Sequence, residues 1–201
     1  MIRWTLEQLD AVAAALADGA VLLLPTDTIY GLHADAHNDA AVERIARIKG
    51  RDAKPFVVLA ASMSQLEGLG VRMSDDVRAA LSEVWPAPLT AILPLDRPIA
   101  ATRGASTVAV RIPALPWLRS LLEKTGPLVS TSANRSGEVP IQQPSELAQA
   151  LHEALDGLLD AGRLSGEASA IVDFTGDPPR VVRQGQLLFT QKVWKTLRIT
   201  L

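Results

Sequence analysis

The chain contains no cysteine, and that absence removes disulfide frameworks, thiolate chemistry, cysteine-held zinc and iron–sulfur clusters together. Histidine is nearly as scarce, with only His33, His37 and His152. His33 and His37 lie four apart and would share a face on a helix, but Asp35, Asn38 and Asp39 make the segment read as a loop, so no metal held by the protein is expected. No apolar run approaches the ~20 residues of a membrane-spanning helix, and no basic amino-terminal segment leads into a secretory core. The reading is a cytoplasmic protein with no membrane partner. Asn134-Arg135-Ser136 matches a glycosylation sequon, yet without a secretory signal the match carries no weight. There is no G-x-x-x-x-G-K-[ST] loop and no G-x-G-x-x-G after a strand. A Ser-His-Asp triad and a pair of acid/base carboxylates are missing as well. Any nucleotide must therefore be held by side chains and turns.

What is present suits one α/β domain. The 201 residues, 48% hydrophobic and 21% charged, suffice for one sizeable core. A net charge of -2 with a pI near 5.9 argues against a surface that is all nucleic-acid footprint and leaves room for a local basic cleft. Thr5 and Gln8 form a capping box, and Leu6, Leu9, Val12, Ala13 and Leu16 follow at helical spacing until Gly19. A strand follows near Ala20 to Leu24, then a helix from about Asp39 to Ile48. Phe56-Val57-Val58-Leu59 is a second strand, Ser64 with Glu67 caps a helix, and Ser74 starts another that ends before Trp85-Pro86. Leu89 to Leu93 and Thr107 to Ile112 read as strands, Pro116 to Lys124 as a helix, and Leu128-Val129-Ser130 as a short buried strand. Ser132 to Gln143 reads as a long loop and Glu146 to Leu155 as a helix. Ala170 to Phe174 and Arg180 to Arg183 form a closing pair of strands. Several connections are too short for parallel crossovers, so a mixed sheet with helices packed on it is expected.

Polar groups gather at the ends of these strands: Thr26 and Thr28, Thr107 and Arg111, Ser130 and Ser132, and Arg183. If the ends converge, guanidinium, hydroxyl and amide groups line one cleft suited to anions. Such a set fits phosphoryl or nucleotidyl transfer, which depends on positioning and charge neutralisation, and arginine's planar fork suits carboxylate and phosphate. Each feature also has a plain structural use. Lys49, Arg51 and Lys54 would complement the dipole of the preceding helix. Ser130 to Asn134 would form a hydrogen-bonded turn. Arg111 would pair with a buried carboxylate, Arg183 would do the same at the surface, and the four tryptophans would serve packing.

Taken in order, Pro25-Thr26-Asp27-Thr28-Ile29-Tyr30-Gly31-Leu32, Lys49-Gly50-Arg51, Trp85-Pro86-Ala87-Pro88-Leu89-Thr90, Thr107 to Pro113, Ser130-Thr131-Ser132-Ala133-Asn134, Ser169 to Asp173 and Val182-Arg183-Gln184-Gly185 resemble the successive motifs of the YrdC/TsaC family of threonylcarbamoyl-AMP synthases. The match runs over about residues 5–188 and implies a single YrdC-like domain, with a twisted open mixed sheet and a concave basic cleft. It implies formation of threonylcarbamoyl-AMP from L-threonine, bicarbonate and ATP with Mg2+, releasing pyrophosphate. The product feeds downstream threonylcarbamoyl transferase proteins that modify tRNA, so any role of tRNA here is indirect.

By motif position, Lys49 and Arg51 are catalytic. Arg51, Lys54, Thr107, Ser132, Asn134 and Arg183 meet ATP; Thr26, Tyr30, Arg111, Ser130 and Ser169 meet threonine. On this reading Lys49→Ala or Arg51→Ala folds normally and loses turnover. The chain departs from the family pattern in three places. The spacer from Arg51 to Pro55 is one residue short, Leu59 stands where some members carry a polar contact to the amino acid, and Ala170 replaces a common threonine. The extra carboxyl-terminal domain of longer members is expected to be missing. A related carbamoyl-adenylate-forming protein with another substrate, or a non-enzymatic RNA-binding member, are the alternatives.

Overall fold

Why the chain leaves one sheet face partly open follows from how its strands alternate. The structure is a computed structural model that describes residues 1–50, 54–134, 138–164, 166–185, 191–197 and 199, with backbone alone at 191, 192 and 194. Arg51, the Arg135-Ser136 part of the sequon and the side chain of Trp194 lie outside the described residues. In chain order the elements are β1 (Ile2–Trp4), α1 (Leu9–Ala17), β2 (Leu22–Leu24), β3 (Gly31–Asp35), α2 (Asp39–Lys49), β4 (Val57–Leu59), α3 (Met63–Gly68), α4 (Asp75–Val84) and β5 (Leu89–Pro94). They continue with β6 (Thr107–Arg111), α5 (Pro116–Thr125), β7 (Leu128–Ser132), α6 (Gln149–Ala154), β8 (Gly157–Leu159), β9 (Ala170–Asp173), β10 (Arg180–Arg183) and α7 (Gln191–Leu197).

Among the described residues the strands form one sheet in the order β1-β8-β2-β3-β7-β4-β6-β5-β9-β10. It is mixed, as expected: β1 with β8, β2 with β8, β4 with β6, and β5 with β9 run parallel, and the other neighbours antiparallel. Because successive strand residues face opposite sides, the pairing sorts the chain into two layers. Leu23, Leu32, Val129, Val58, Val110 and Ala91 face one side, where they pack with Val42 and Ile45 of α2, Leu66 of α3, Leu81 of α4 and Leu197 of α7. Leu22, Leu24, Leu59 and Leu128 face the other, beneath Val12 and Leu16 of α1 and Leu118, Leu121 and Leu122 of α5. Each buried leucine contributes roughly 1.5–3 kcal/mol relative to exposure. Two helices cover only part of the second face, and the cleft occupies the remainder.

Local signals set the helix ends. Asn38 Oδ1 accepts from the Ala41 N–H at 3.0 Å to start α2, and Gly50 ends it in the left-handed region at φ 58°. Ser74 caps α4, and Trp85 is extended before Pro86. The structure departs from the sequence reading in several places. Ser62, not Ser64, caps α3 by accepting from the Gln65 N–H; the two serine hydroxyls lie 2.9 Å apart. The helix expected from Glu146 is a 3-10 turn at Pro144–Glu146 followed by the short α6. Strands β1, β3 and β8 were not anticipated. His33 lies within β3 and His37 in the turn after it, so the two share no helix face; no cluster of three or more His, Cys, Asp or Glu side chains able to hold a metal occurs among the described residues. No helix among them is long and apolar enough to cross a membrane.

Candidate active site

The register builds the cleft floor. His33 of β3 pairs with Ser130 of β7, Ser130 with Val57 of β4, Val57 with Ala109 of β6, and Ala109 with Ile92 of β5. All five side chains therefore share the face that α1 and α5 leave partly open. Above this row lies a cleft of about 390 Å³, within the range of small-ligand sites. Its described lining includes Thr26, Arg111, Ser130, Ser132, Ser169 and Arg183, and no Asp or Glu is among the described lining residues.

The turn between β2 and β3 is held by its own hydroxyls. Thr26 Oγ1 accepts from the N–H groups of Thr28 and Ile29, each at 3.1 Å, and donates to the Ile29 carbonyl at 2.7 Å. With that proton committed, the 2.8 Å contact between the two threonine hydroxyls is a donation from Thr28 to Thr26. Thr28 Oγ1 in turn accepts from Arg111 Nη1 at 3.0 Å. Asp27 Oδ2 accepts from the Ala114 N–H at 2.9 Å, and its Oδ1 lies 3.5 Å from Arg111 Nη2. Arg111 is thus clamped on two sides, and its buried Nε–H has no hydrogen-bond partner. Burial pulls the guanidinium below its ordinary pKa; Asp27 opposes that shift and Arg183 adds to it. An arginine stays charged through such a change, so the site keeps a fixed, desolvated cation.

Across the cleft, Arg183 Nε donates to the Ser169 carbonyl at 2.9 Å and Nη2 to the Ser169 hydroxyl at 3.2 Å. That hydroxyl is also 2.8 Å from Thr90 Oγ1. The chain passes close behind this pair at Gly185, whose φ is 63° and where a Cβ would lie 2.3 Å from the Ala170 nitrogen. Only glycine fits there. Burial also lowers the Arg183 pKa.

The structure brings Thr26, Arg111, Ser130, Ser132, Ser169 and Arg183 together and sets other expected residues apart. Tyr30 alternates onto the opposite face, fully buried, where its hydroxyl donates to the Gly162 carbonyl at 2.7 Å and accepts from the Ala161 N–H at 3.1 Å. Burial raises the phenol's pKa, the Ala161 hydrogen bond opposing and Asp160 reinforcing. Lys49 is 4% exposed, and its ammonium donates to the Ser132 carbonyl at 2.6 Å, to Asn134 Oδ1 at 3.0 Å and to the Asn134 carbonyl. Lys49 and Asn134 therefore meet each other behind the turn that follows β7. Thr107 lies on the cleft face of β6, two residues before Ala109, and Lys54 is exposed beside the lining residue Pro55. Sequence reasoning placed Thr28 among the polar strand ends but gave it no specific contact, and it gave Asp27 and Thr90 no role. The signal for the first two was available: a hydroxyl and a carboxylate two and one residues from Thr26, facing a strand that ends in arginine.

Comparison with known proteins agrees with the geometry. The Sua5/YciO/YrdC family model, described as "Telomere recombination", matches residues 14–185. A threonylcarbamoyl-AMP synthase of Chromohalobacter salexigens is 40% identical over 170 residues, covering 82% of this chain and 90% of the relative. That of Pyrococcus abyssi is 34% identical over 180 residues, 87% of this chain and 53% of the relative. The Bacillus subtilis relative also extends well beyond the match, so the chain spans about half the length of these two. The structure of P. abyssi Sua5 complexed with L-threonine superposes with a TM-score of 0.87 at 31% identity, covering 97% of this chain and 60% of that one. Escherichia coli YciO superposes with a TM-score of 0.81 at 25% identity over 92% of this chain and 94% of that one. With its mixed sheet, its cleft and a family match over most of its length, the chain belongs to the Sua5/YciO/YrdC family.

Proposed function

We propose that this protein is an L-threonylcarbamoyladenylate synthase, a nucleotidyltransferase that converts L-threonine, bicarbonate and ATP into threonylcarbamoyl-AMP and pyrophosphate. The observation that carries the reading is Arg111: a buried cation, fixed by Thr28 and Asp27, with its Nε–H unpartnered beside a cleft lined by serine hydroxyls and a second arginine. That arrangement suits an amino-acid carboxylate on Arg111 and phosphates toward Ser132 and Arg183. The names of the relatives and the threonine held by P. abyssi Sua5 support the same assignment.

In this reaction the threonine nitrogen bonds to the carbon of bicarbonate with loss of water, giving a carbamate. A carbamate oxygen then attacks the α-phosphorus of ATP, the bond to the bridging oxygen breaks, and pyrophosphate leaves. Arg111 orients the carboxylate, Ser130 and Ser169 bracket the amino acid, and Thr26 keeps the turn rigid. Ser132 and Arg183 meet the phosphates, with Thr107, Lys54 and Arg51 as further ATP contacts. Lys49 and Asn134 hold the turn that carries Ser132, and Tyr30 fixes the back of the β2–β3 turn. Mg2+ would enter bound to ATP, and no step is assigned to it. The product would supply downstream transferases acting on tRNA, so that any role of tRNA here is indirect.

Pyrophosphate release measured with each substrate omitted in turn tests the proposal. Release should require both threonine and bicarbonate; release that is indifferent to threonine would overturn it.

A further inference from the structure

Under the cleft floor lies a polar group for which the proposed reaction has no use. His33 occupies the middle of β3 on the cleft side, flanked by Leu22 and Ser130, and is fully buried. Its Nδ1 lies 2.9 Å from the Gly31 carbonyl oxygen. A carbonyl only accepts, so Nδ1 carries the proton and Nε2 is an acceptor. That Nε2 is buried and has no hydrogen-bond partner. The ring lies against Gly31, itself a lining residue: a Cβ on Gly31 would sit 2.9 Å from Cε1 and 3.5 Å from Nε2 of His33. The imidazole thus packs directly on a lining glycine, with no side chain at 31 between them, while His33 itself is not among the described lining residues. Burial, with Arg111 nearby adding to it, holds the His33 pKa down to about 3 although its hydrogen bond to Gly31 pulls upward. The ring therefore stays neutral and the acceptor persists at working pH.

Arg111 Nε–H is the complementary case, a buried donor without a partner. Two unanswered polar groups in one buried region are costly unless a bound molecule answers both. Such a molecule presents an acceptor to Arg111 and a donor to His33. An amino-acid carboxylate meets the first need. The amine cannot serve the second, because it must face bicarbonate, so the remaining donor is a hydroxyl on the side chain. We infer that His33 Nε2 accepts a hydrogen bond from the side-chain hydroxyl of the bound amino acid, and so selects β-hydroxy amino acids over their methyl isosteres. This rests on the proposed synthase reading.

The test compares kcat/KM for L-threonine with that for L-valine, which replaces the hydroxyl by a methyl, in the wild type, His33→Leu and His33→Gln. A site built to bond a substrate hydroxyl discriminates strongly against analogues that lack it. The threonine-to-valine ratio should fall by about 10- to 100-fold in His33→Leu, through the KM for threonine and with the KM for ATP changed less than about twofold. His33→Gln, which returns an acceptor near the Nε2 position, should recover part of the ratio. As a readout independent of any variant, the 15N resonance of Nε2 in the wild type should shift on adding threonine and not on adding valine. Unchanged selectivity in a folded His33→Leu, or an Nε2 signal indifferent to threonine, would mean that a buried water serves the nitrogen and would overturn the inference alone. Absence of threonine-dependent turnover in the wild type would instead remove the synthase reading beneath it.

Discussion

Replacing Lys49 by methionine separates two roles for the same side chain. Methionine keeps a flexible apolar stem and deletes the ammonium, which is buried and donates to the carbonyls of Ser132 and Asn134 and to Asn134 Oδ1. A hydrogen bond to a charged group contributes about 1.5–3 kcal/mol, and these three are lost among others. Against this stands a desolvation cost of several kcal/mol that the variant no longer bears. The acceptors left behind are the Ser132 carbonyl at the end of β7 and the Asn134 carbonyl and Oδ1 in the turn after it, and their unmet demand leaves a net loss of about 3 kcal/mol. In a chain of this size each kcal/mol lowers the Tm by about 2–4 °C, so a drop of roughly 6–12 °C is expected. Thermal unfolding followed by circular dichroism reads this directly. Turnover should fall in parallel, because Ser132 lines the cleft and its turn is released. A Tm within about 1 °C of wild type together with lost turnover would refute the argument and return the ammonium to the phosphates, as the motif alone suggests.

Other expectations follow from the same contacts. Arg111→Lys cannot reach Thr28 and Asp27 and also offer a donor to a carboxylate, so the KM for threonine should rise by about 10- to 100-fold with little change for ATP; equal losses for both substrates would count against the assignment. Gly185→Ala forces a Cβ to within 2.3 Å of the Ala170 nitrogen at a φ of 63° and should destabilise by about 3 kcal/mol or more in urea titrations, a neutral result disproving the close approach. His33 has a pKa near 3 in the fold against an ordinary 6.5. The unfolded chain therefore binds more protons between those values, and stability contributed by the neutral ring is full above pH 6.5 and lost as pH falls toward 3. The wild type should lose about 1.2 kcal/mol more than His33→Gln between pH 6 and 5; parallel pH profiles would contradict the burial argument.

What the sequence disclosed depended on how far one periodicity extended. Helices α2, α4 and α5 carried caps and apolar spacing within a single segment, and their ends match the expectation to within about a residue. Strand β3 was hidden because Gly31, His33 and Asp35 face the cleft side and only Leu32 and Ala34 face the core, a pattern with too few apolar residues to stand out beside a polar turn. Strands β1 and β8 span three residues each, too short to show alternation. Motif position identified most of the polar side chains among the described lining residues, but proximity along the chain misled for Tyr30: one step from Ile29 and Gly31, it turns to the opposite face. Lys49 illustrates the same gap. Helix phase places it with Val42, Ile45 and Ala46 against the core, and nothing in Lys-Gly-Arg tells whether its amine will find a phosphate or the carbonyls of β7. In the sequence His33 reads only as half of a metal pair; its orphaned nitrogen follows from burial and from the Gly31 carbonyl, neither of which spacing reveals.

On the proposed reaction, this cleft joins threonine, a one-carbon unit and AMP in one molecule. The most direct measurement is mass spectrometry of the product formed from ATP, L-threonine and 13C-labelled bicarbonate, quenched promptly. Threonylcarbamoyl-AMP heavier by one 13C than the product from unlabelled bicarbonate is the expected result. AMP formation without a labelled threonine adduct would contradict it.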